Sequence, residues 1–201
     1  MVAGVIATTR ARPLPPEERR AALVAATVSL VRVHGWKVST RQIADASGVA
    51  EGTIFRVFPD KDSLVRAAID SAMDCAPMLQ ELTAVDASLP LRPRLVAATT
   101  ILQSWLVDMI SLLTAVRMNG PVADDKARHD NDEKIHAIMR SLLKADRAAF
   151  RCPIAEVIRM LRLLVFAGSH PLLNEGALLS PAQIVNLLLD GVLRHDGRTE
   201  R

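Results

Sequence analysis

The sequence predicts an all-α protein of about nine helices: a small three-helix head followed by a larger helical bundle. Three observations carry that prediction. Half of the 201 residues are hydrophobic, yet only 3% are aromatic and there is no Tyr; an Ala- and Leu-rich chain of this kind favours packed helices. Apolar residues recur at helical spacing, and no stretch sustains the period-2 alternation of a strand. Helix punctuation recurs as well, in two Ser-x-x-Gln capping boxes and several Pro or Gly breaks. A chain of this length can bury a core without disulfide or metal staples.

Residues 1–15 read as a flexible arm closed by Pro13, Pro15 and Pro16. Pro16 suits a first helical position, and Glu17 and Glu18 suit the positive end of the helix dipole. The first helix runs to His34, with Leu23, Ala26, Leu30 and Val31 on one stripe, and Gly35 ends it. Ser39 at N-cap and Gln42 at N3 open a short helix, Thr40–Ala46, which Ser47-Gly48 breaks. A second short helix covers Glu51–Val57, Phe58-Pro59 ends it, and Asp60 caps a helix from Lys61 to about Ala76.

Residues 77–93 read as a connector with some helix early on. A long helix follows over about Arg92–Met118, stopped by Asn119-Gly120-Pro121, and Val122–Asp132 reads as an acidic loop. Helices are then expected at about Asp132–Phe150, Ile154–Ser169 and Pro181–Arg194, the last opened by Ser180 and Gln183.

Charge is uneven along the chain. Residues 1–70 hold 10 Lys/Arg against 7 Asp/Glu, while the remainder holds 15 of each. The excess positive charge therefore sits in the first third and suggests an anionic partner there. Cys75 and Cys152 lie far apart and form no CxxC pair, which fits a reducing cytoplasm and excludes a zinc site or a disulfide framework. The start of the chain lacks the basic and long apolar regions of a signal peptide. The run Leu95–Val116 is long enough to cross a bilayer. It carries Asp108 near its centre, at a cost of about 2.5–3.5 kcal/mol for insertion, and polar Gln103, Ser104 and Ser111. A helix buried in a bundle is the preferred reading, and no membrane partner is expected.

Two short helices joined by a tight Gly turn make a helix-turn-helix. Ile43, Ala44, Val49, Ile54 and Phe58 supply its apolar side and pack on the first helix. Glu51, Gly52, Thr53 and Arg56 remain outward on the second helix, which suits entry into a DNA major groove. The stretch Gly35-Trp36…Ser39-Thr40-Arg41-Gln42-Ile43-Ala44…Gly48-Val49-Ala50-Glu51-Gly52-Thr53-Ile54-Phe55-Arg56-Val57-Phe58-Pro59-Asp60-Lys61 resembles the N-terminal signature of the TetR family of transcriptional regulators. The matching order, spacing and trailing Phe-Pro-x-Lys separate it from an ordinary αα-hairpin.

The resemblance implies a DNA-binding head over residues 16–62 and an effector-binding and dimerisation domain over 63–201. It assigns DNA contacts to Thr40, Arg41, Glu51, Gly52, Thr53, Phe55, Arg56 and Lys61, with Thr40, Arg41 and Lys61 near phosphates. A lysine in the first turn of a helix opposes the dipole, which makes sense if a phosphate docks there too. Two positions depart from the family pattern: Phe55 stands where Tyr is usual, and Val57 where His or Tyr is frequent. Each loses a phosphate donor worth about 1.5–3 kcal/mol, for which Arg56, or arm residues Arg10 and Arg12 in a minor groove, could compensate. Glu51 is unusual beside phosphates; it either accepts from cytosine N4 or simply places charge at the helix start.

In the long helix, Leu102, Trp105, Met109, Leu112 and Val116 form an apolar stripe and Thr100, Ser104, Asp108 and Ser111 a polar one. The resemblance places an effector pocket along this helix, with Trp105, Met109, Leu112 and Phe166 as candidates and core packing as the plain alternative. Asp108 suits a polar ligand group, or a salt bridge to Arg159 or Arg162. Ile154, Val157, Ile158, Leu161, Leu164 and Val165 form one stripe near the C-terminus, and Ile184, Leu187, Leu188 and Gly191 another. Ile158, Leu161, Val165, Ile184, Leu187, Leu188 and Gly191 are read as a four-helix dimer interface, with closure of the subunit's own core as the alternative.

The expected function is a homodimeric regulator of a palindromic operator in double-stranded DNA, a repressor released by an unidentified small apolar ligand. Regulation without a small effector is the alternative. His129, Asp132, Glu133 and His136 could converge on a metal if one helix carries all four, although a solvated charged face is the simpler reading, and neither metal nor cofactor is expected. An enzyme is not expected either: GxSxG, GxGxxG, P-loop and HExxH motifs are missing, and Gly168-Ser169-His170 has no supporting context.

Overall fold

The computed structural model describes residues 15–116 and 125–193, and the side chains of all of these except 125–129. The described residues form nine α-helices, α1 (Pro16–His34), α2 (Thr40–Ser47), α3 (Glu51–Ile54), α4 (Lys61–Ala72), α5 (Ala76–Thr83), α6 (Leu91–Val116), α7 (Asp125–Leu143), α8 (Ile154–Ser169) and α9 (Pro181–Val192). Two 3-10 turns, Gly35–Lys37 and Lys144–Ala149, lie between them. The all-α fold class is as the sequence predicted. The chain divides into two compact units, residues 1–72 and 73–201. The N-terminal unit thus extends past the division expected at residue 62 and includes all of α4.

In the first unit, Leu23, Thr27 and Val31 are the buried face of α1. Ala26 and Leu30 of the expected stripe are half-buried. Thr27 is tolerated inside because its hydroxyl donates to the Leu23 carbonyl at 2.7 Å, satisfying the polar group within the helix. α4 packs on α1 with Leu64, Val65, Ala68 and Ile69 inward. The Asp60 carboxylate accepts the Ser63 backbone N–H at 2.7 Å, which fixes the start of α4 and, with the Ser63 hydroxyl, holds the Asp60 pKa below the ordinary carboxylate value.

The second unit has its core between α6, α8 and α9, with α5 and α7 packed around them. Several expected boundaries shift. The connector after α4 contains a full helix, α5, because Pro77 is harmless in a first turn and Met78 and Leu82 bury one face. α7 begins at Asp125, so helix occupies part of the segment read as an acidic loop. Its C-terminal part, expected to run on to Phe150, tightens into a 3-10 turn after Leu143. The arm up to residue 14, the break at 119–121 and Arg194 lie outside the described residues.

α6 is 26 residues long and apolar enough to span a membrane by composition. Its inner face is not uniformly apolar, however. Arg94 is buried, ion-paired with Asp146 and donating to the Ala87 carbonyl at 2.7 Å. The Gln103 amide donates to the Leu179 carbonyl at 2.7 Å. These polar links tie α6 to protein partners and fit a bundle helix. α8 and α9 approach closely at Gly168, where a Cβ would meet Ile184 Cδ1 at 3.0 Å.

Candidate nucleic-acid interface

The reading pair is assembled from local rules. Ser39 Oγ accepts the Gln42 backbone N–H at 3.2 Å, and Gln42 Oε1 accepts the Ser39 N–H at 2.8 Å, the reciprocal box expected from the sequence. α2 ends on Gly48 in the left-handed region at φ 66°, with its N–H returned to the Ala44 and Asp45 carbonyls. Nothing lies within 4 Å of a Cβ built there, so backbone conformation, not space, makes glycine the fitting residue. α3 is shorter than expected: regular α-helix stops at Ile54, and 3-10-type bonds carry the chain on, Arg56 N–H to Thr53 O at 3.2 Å and Val57 N–H to Ile54 O at 2.9 Å.

Ile43, Ala44, Ile54 and Phe58 are buried, and Val49 is half-buried. The Arg20 guanidinium of α1 lies 4.2 Å over the Phe58 ring, closing the apolar side of the motif from outside. With that side used up, the opposite side presents Arg41, Glu51, Gly52, Phe55 and Arg56, all exposed, and Thr40, Thr53 and Lys61, half-buried. Phe55 remains 52% exposed, high for a phenylalanine.

Two contacts here escaped the sequence reading. The Thr40 hydroxyl donates to Glu51 Oε1 across the turn, joining the first turn of α2 to the first turn of α3. Lys61 Nζ donates to the Trp36 carbonyl at 3.0 Å. This gives the lysine a role inside the head, while its other N–H donors remain for a further partner. Sequence spacing carried no signal for either, because the partners are 11 and 25 residues apart and meet only through the fold.

The bundle places its predicted residues differently. On α6, the stripe is as expected: Leu102, Leu112 and Val116 are buried, Trp105 and Met109 half-buried, and Thr100, Ser104, Asp108 and Ser111 exposed. The Trp105 indole nitrogen is buried without a hydrogen-bond partner. Phe166 is not enclosed with them; it is exposed on α8, with its ring centroid 5.5 Å from that of His170.

Of the residues read as a dimer interface, Ile158, Leu161, Val165, Ile184 and Leu188 are spent in the unit's own core. A side chain already out of water gains no further burial from a partner, so for these five the alternative, core closure, is the fitting one. Leu187 is exposed, and Gly191 is partly exposed with no atom within 4 Å of a built Cβ. Within the unit, the close helix approach is at Gly168. The outer faces of the same helices expose Leu163, Phe166 and Leu187, and the segment between them exposes Leu172, Leu173 and Leu178.

Asp132 and His136 do not open toward a metal. Asp132 accepts from Arg162 Nη2 at 2.6 Å, and His136 Nε2 lies 3.2 Å from Arg162 Nη1. The His129 side chain is outside the described residues, and no group of three or more metal-ligating side chains occurs among the described ones. Arg159 pairs with Glu156 at 2.6 Å.

A capped, glycine-turned helix pair with an apolar back and a cationic, polar front defines a helix-turn-helix DNA-binding protein. Residues 23–68 match the family described as bacterial regulatory proteins, tetR family. That match covers the head, and the fold of the chain is shared with solved structures of TetR-family regulators. A TetR-family structure from Mesorhizobium loti superposes with a TM-score of 0.62 at 15% identity, over 90% of this chain and 100% of the other. One from Streptomyces coelicolor gives 0.59 at 20% identity over 89% and 80%. NalD, the secondary repressor of the MexAB-OprM multidrug efflux pump in Pseudomonas aeruginosa, gives 0.54 at 22% identity over 89% and 97%.

Proposed function

We propose that the chain is a cytoplasmic, homodimeric transcriptional repressor that binds a palindromic operator and leaves it when a small apolar ligand binds the bundle. The observation that carries this reading is the front of the helix pair, where Arg41, Glu51, Gly52, Phe55 and Arg56 are exposed while every apolar anchor behind them is used. Thr40, Thr53 and Lys61 complete the DNA-facing set. Phe55 has no hydroxyl for a phosphate and instead offers apolar contact to a thymine methyl.

Two features of the bundle support the rest. Leu163, Phe166 and Leu187, with Leu172, Leu173 and Leu178, give it an exposed apolar face of the kind that marks a subunit interface. Leu187 and Gly191 of the expected interface belong to this reading, joined by Leu163 and Phe166. On α6, Trp105 offers a buried, unused N–H to a ligand acceptor, with the adaptable Met109 one turn on and Leu112 two turns on. α4 is the covalent route from head to bundle and the lever we assign. A ligand that fits better when the heads no longer match half-sites about 34 Å apart lowers the DNA-competent fraction.

Selection from random duplexes with the full chain tests the reading. A palindrome with steeply salt-dependent affinity is expected. No preference for any duplex overturns the head assignment. Operator affinity that every bound ligand leaves unchanged overturns the sensor.

A further inference from the structure

We infer that Glu51 is a base-reading residue selecting cytosine in each half-site, and that the Thr40 side chain positions it and is not a phosphate donor. This rests on the DNA-binding reading above and deepens it. Thr40 has one O–H, and it is donated to Glu51 Oε1. A phosphate oxygen only accepts, so the Thr40 hydroxyl has no proton to give it while this bond holds. Glu51 is exposed at the start of the reading helix, and the bond engages one of its carboxylate oxygens, which leaves the other to accept from a further donor.

An exposed carboxylate facing a duplex is repelled by phosphates unless it meets a donor. In the major groove the donors on base edges are cytosine N4 and adenine N6; guanine and thymine show acceptors there. Adenine places its N7 acceptor next to N6, which repels the same carboxylate. Cytosine N4 stands beside a C–H edge and carries no such penalty. A carboxylate held by Thr40 therefore favours cytosine at one position per half-site. It also weakens binding to sequences that lack it, because its charge is then uncompensated.

The test is a comparison of base preference at each operator position for the folded wild-type chain, Glu51→Ala, Glu51→Gln, Thr40→Val and Thr40→Ser, at fixed salt, with melting curves confirming the fold. At one position per half-site the wild type is expected to favour cytosine by about fivefold or more. Glu51→Ala loses that preference alone and binds other sequences more tightly. Glu51→Gln moves the preference toward adenine, which the amide can meet with both a donor and an acceptor. Thr40→Val blurs the cytosine preference and Thr40→Ser restores it. If the wild type selects sequences but Glu51→Ala keeps the same preference at every position, the inference fails while the DNA-binding reading stands. If Thr40→Val only lowers affinity uniformly, Thr40 is a backbone contact and the positioning role falls. If the wild type selects no sequence, the head assignment itself fails first.

Discussion

The head and the bundle are built from the same kind of amphipathic helix, yet their outer faces differ. In the head, a helix that buries Ile43 and Ala44 on one side shows Arg41 and Asp45 on the other, so buried and working surfaces separate by polarity. In the bundle, α8 buries Val157, Ile158, Leu161 and Val165 and still exposes Leu163 and Phe166. Polarity identifies the working face of a helix that meets a polyanion. It cannot do so for a helix that meets another apolar surface, because both sides of that helix are apolar.

The neighbours Leu187 and Leu188 test this contrast most sharply. Leu188→Asp buries an unpaired charge and is expected to cost more than about 4 kcal/mol, abolishing a cooperative fold in thermal melts. Leu187→Asp is expected to leave the melt of the chain intact and to turn a dimer into a monomer in sedimentation. If the two variants behave alike, the division of α9 into inner and outer faces is wrong. In the head, Phe58→Ala should cost about 3–5 kcal/mol in denaturant unfolding, whereas Phe55→Ala should stay within about 0.5 kcal/mol and act on DNA affinity alone.

The two capping boxes offer a comparison of equal local chemistry. Ser39→Ala and Ser180→Ala should each cost about 0.5–2 kcal/mol. Only the first should also weaken operator binding, since it frays the start of α2. A smaller effect concerns His136. Burial first, then the Arg162 and Arg140 charges, hold its pKa below the ordinary 6.5, with Asp132 opposing. The fold therefore favours the neutral ring. That contribution is complete above about pH 6.5 and is lost as pH falls through the lowered value. His136→Gln should flatten the melting temperature against pH in this window.

Much of the head was legible because its rules are local. Ser39 with Gln42, Gly48, and Asp60 before Lys61 act on residues three or four positions away, and each occurs as read. The Leu102–Val116 stripe of α6 was legible for the same reason. The Glu51 partner, the Lys61 partner and the inward turn of Ile158, Leu161 and Ile184 were not, because each depends on which helices become neighbours. α5 is hard to tell from a connector in the sequence, because its buried apolar signal is only Met78 and Leu82 on two turns. The engagement of Arg162 by Asp132 likewise needed α7 beside α8.

The bond from Lys61 to the Trp36 carbonyl fastens the two ends of the segment that carries the reading pair. Residues 37–60 are therefore a closed insert whose borders do not depend on the side chains displayed between them. Such an insert can be rewritten at Glu51, Phe55 or Arg56 to address a new sequence without redesigning the rest of the head. The clasp at its base, with the Gly48 turn and the buried Ile43, Ile54 and Phe58, is what any such re-engineering should leave alone.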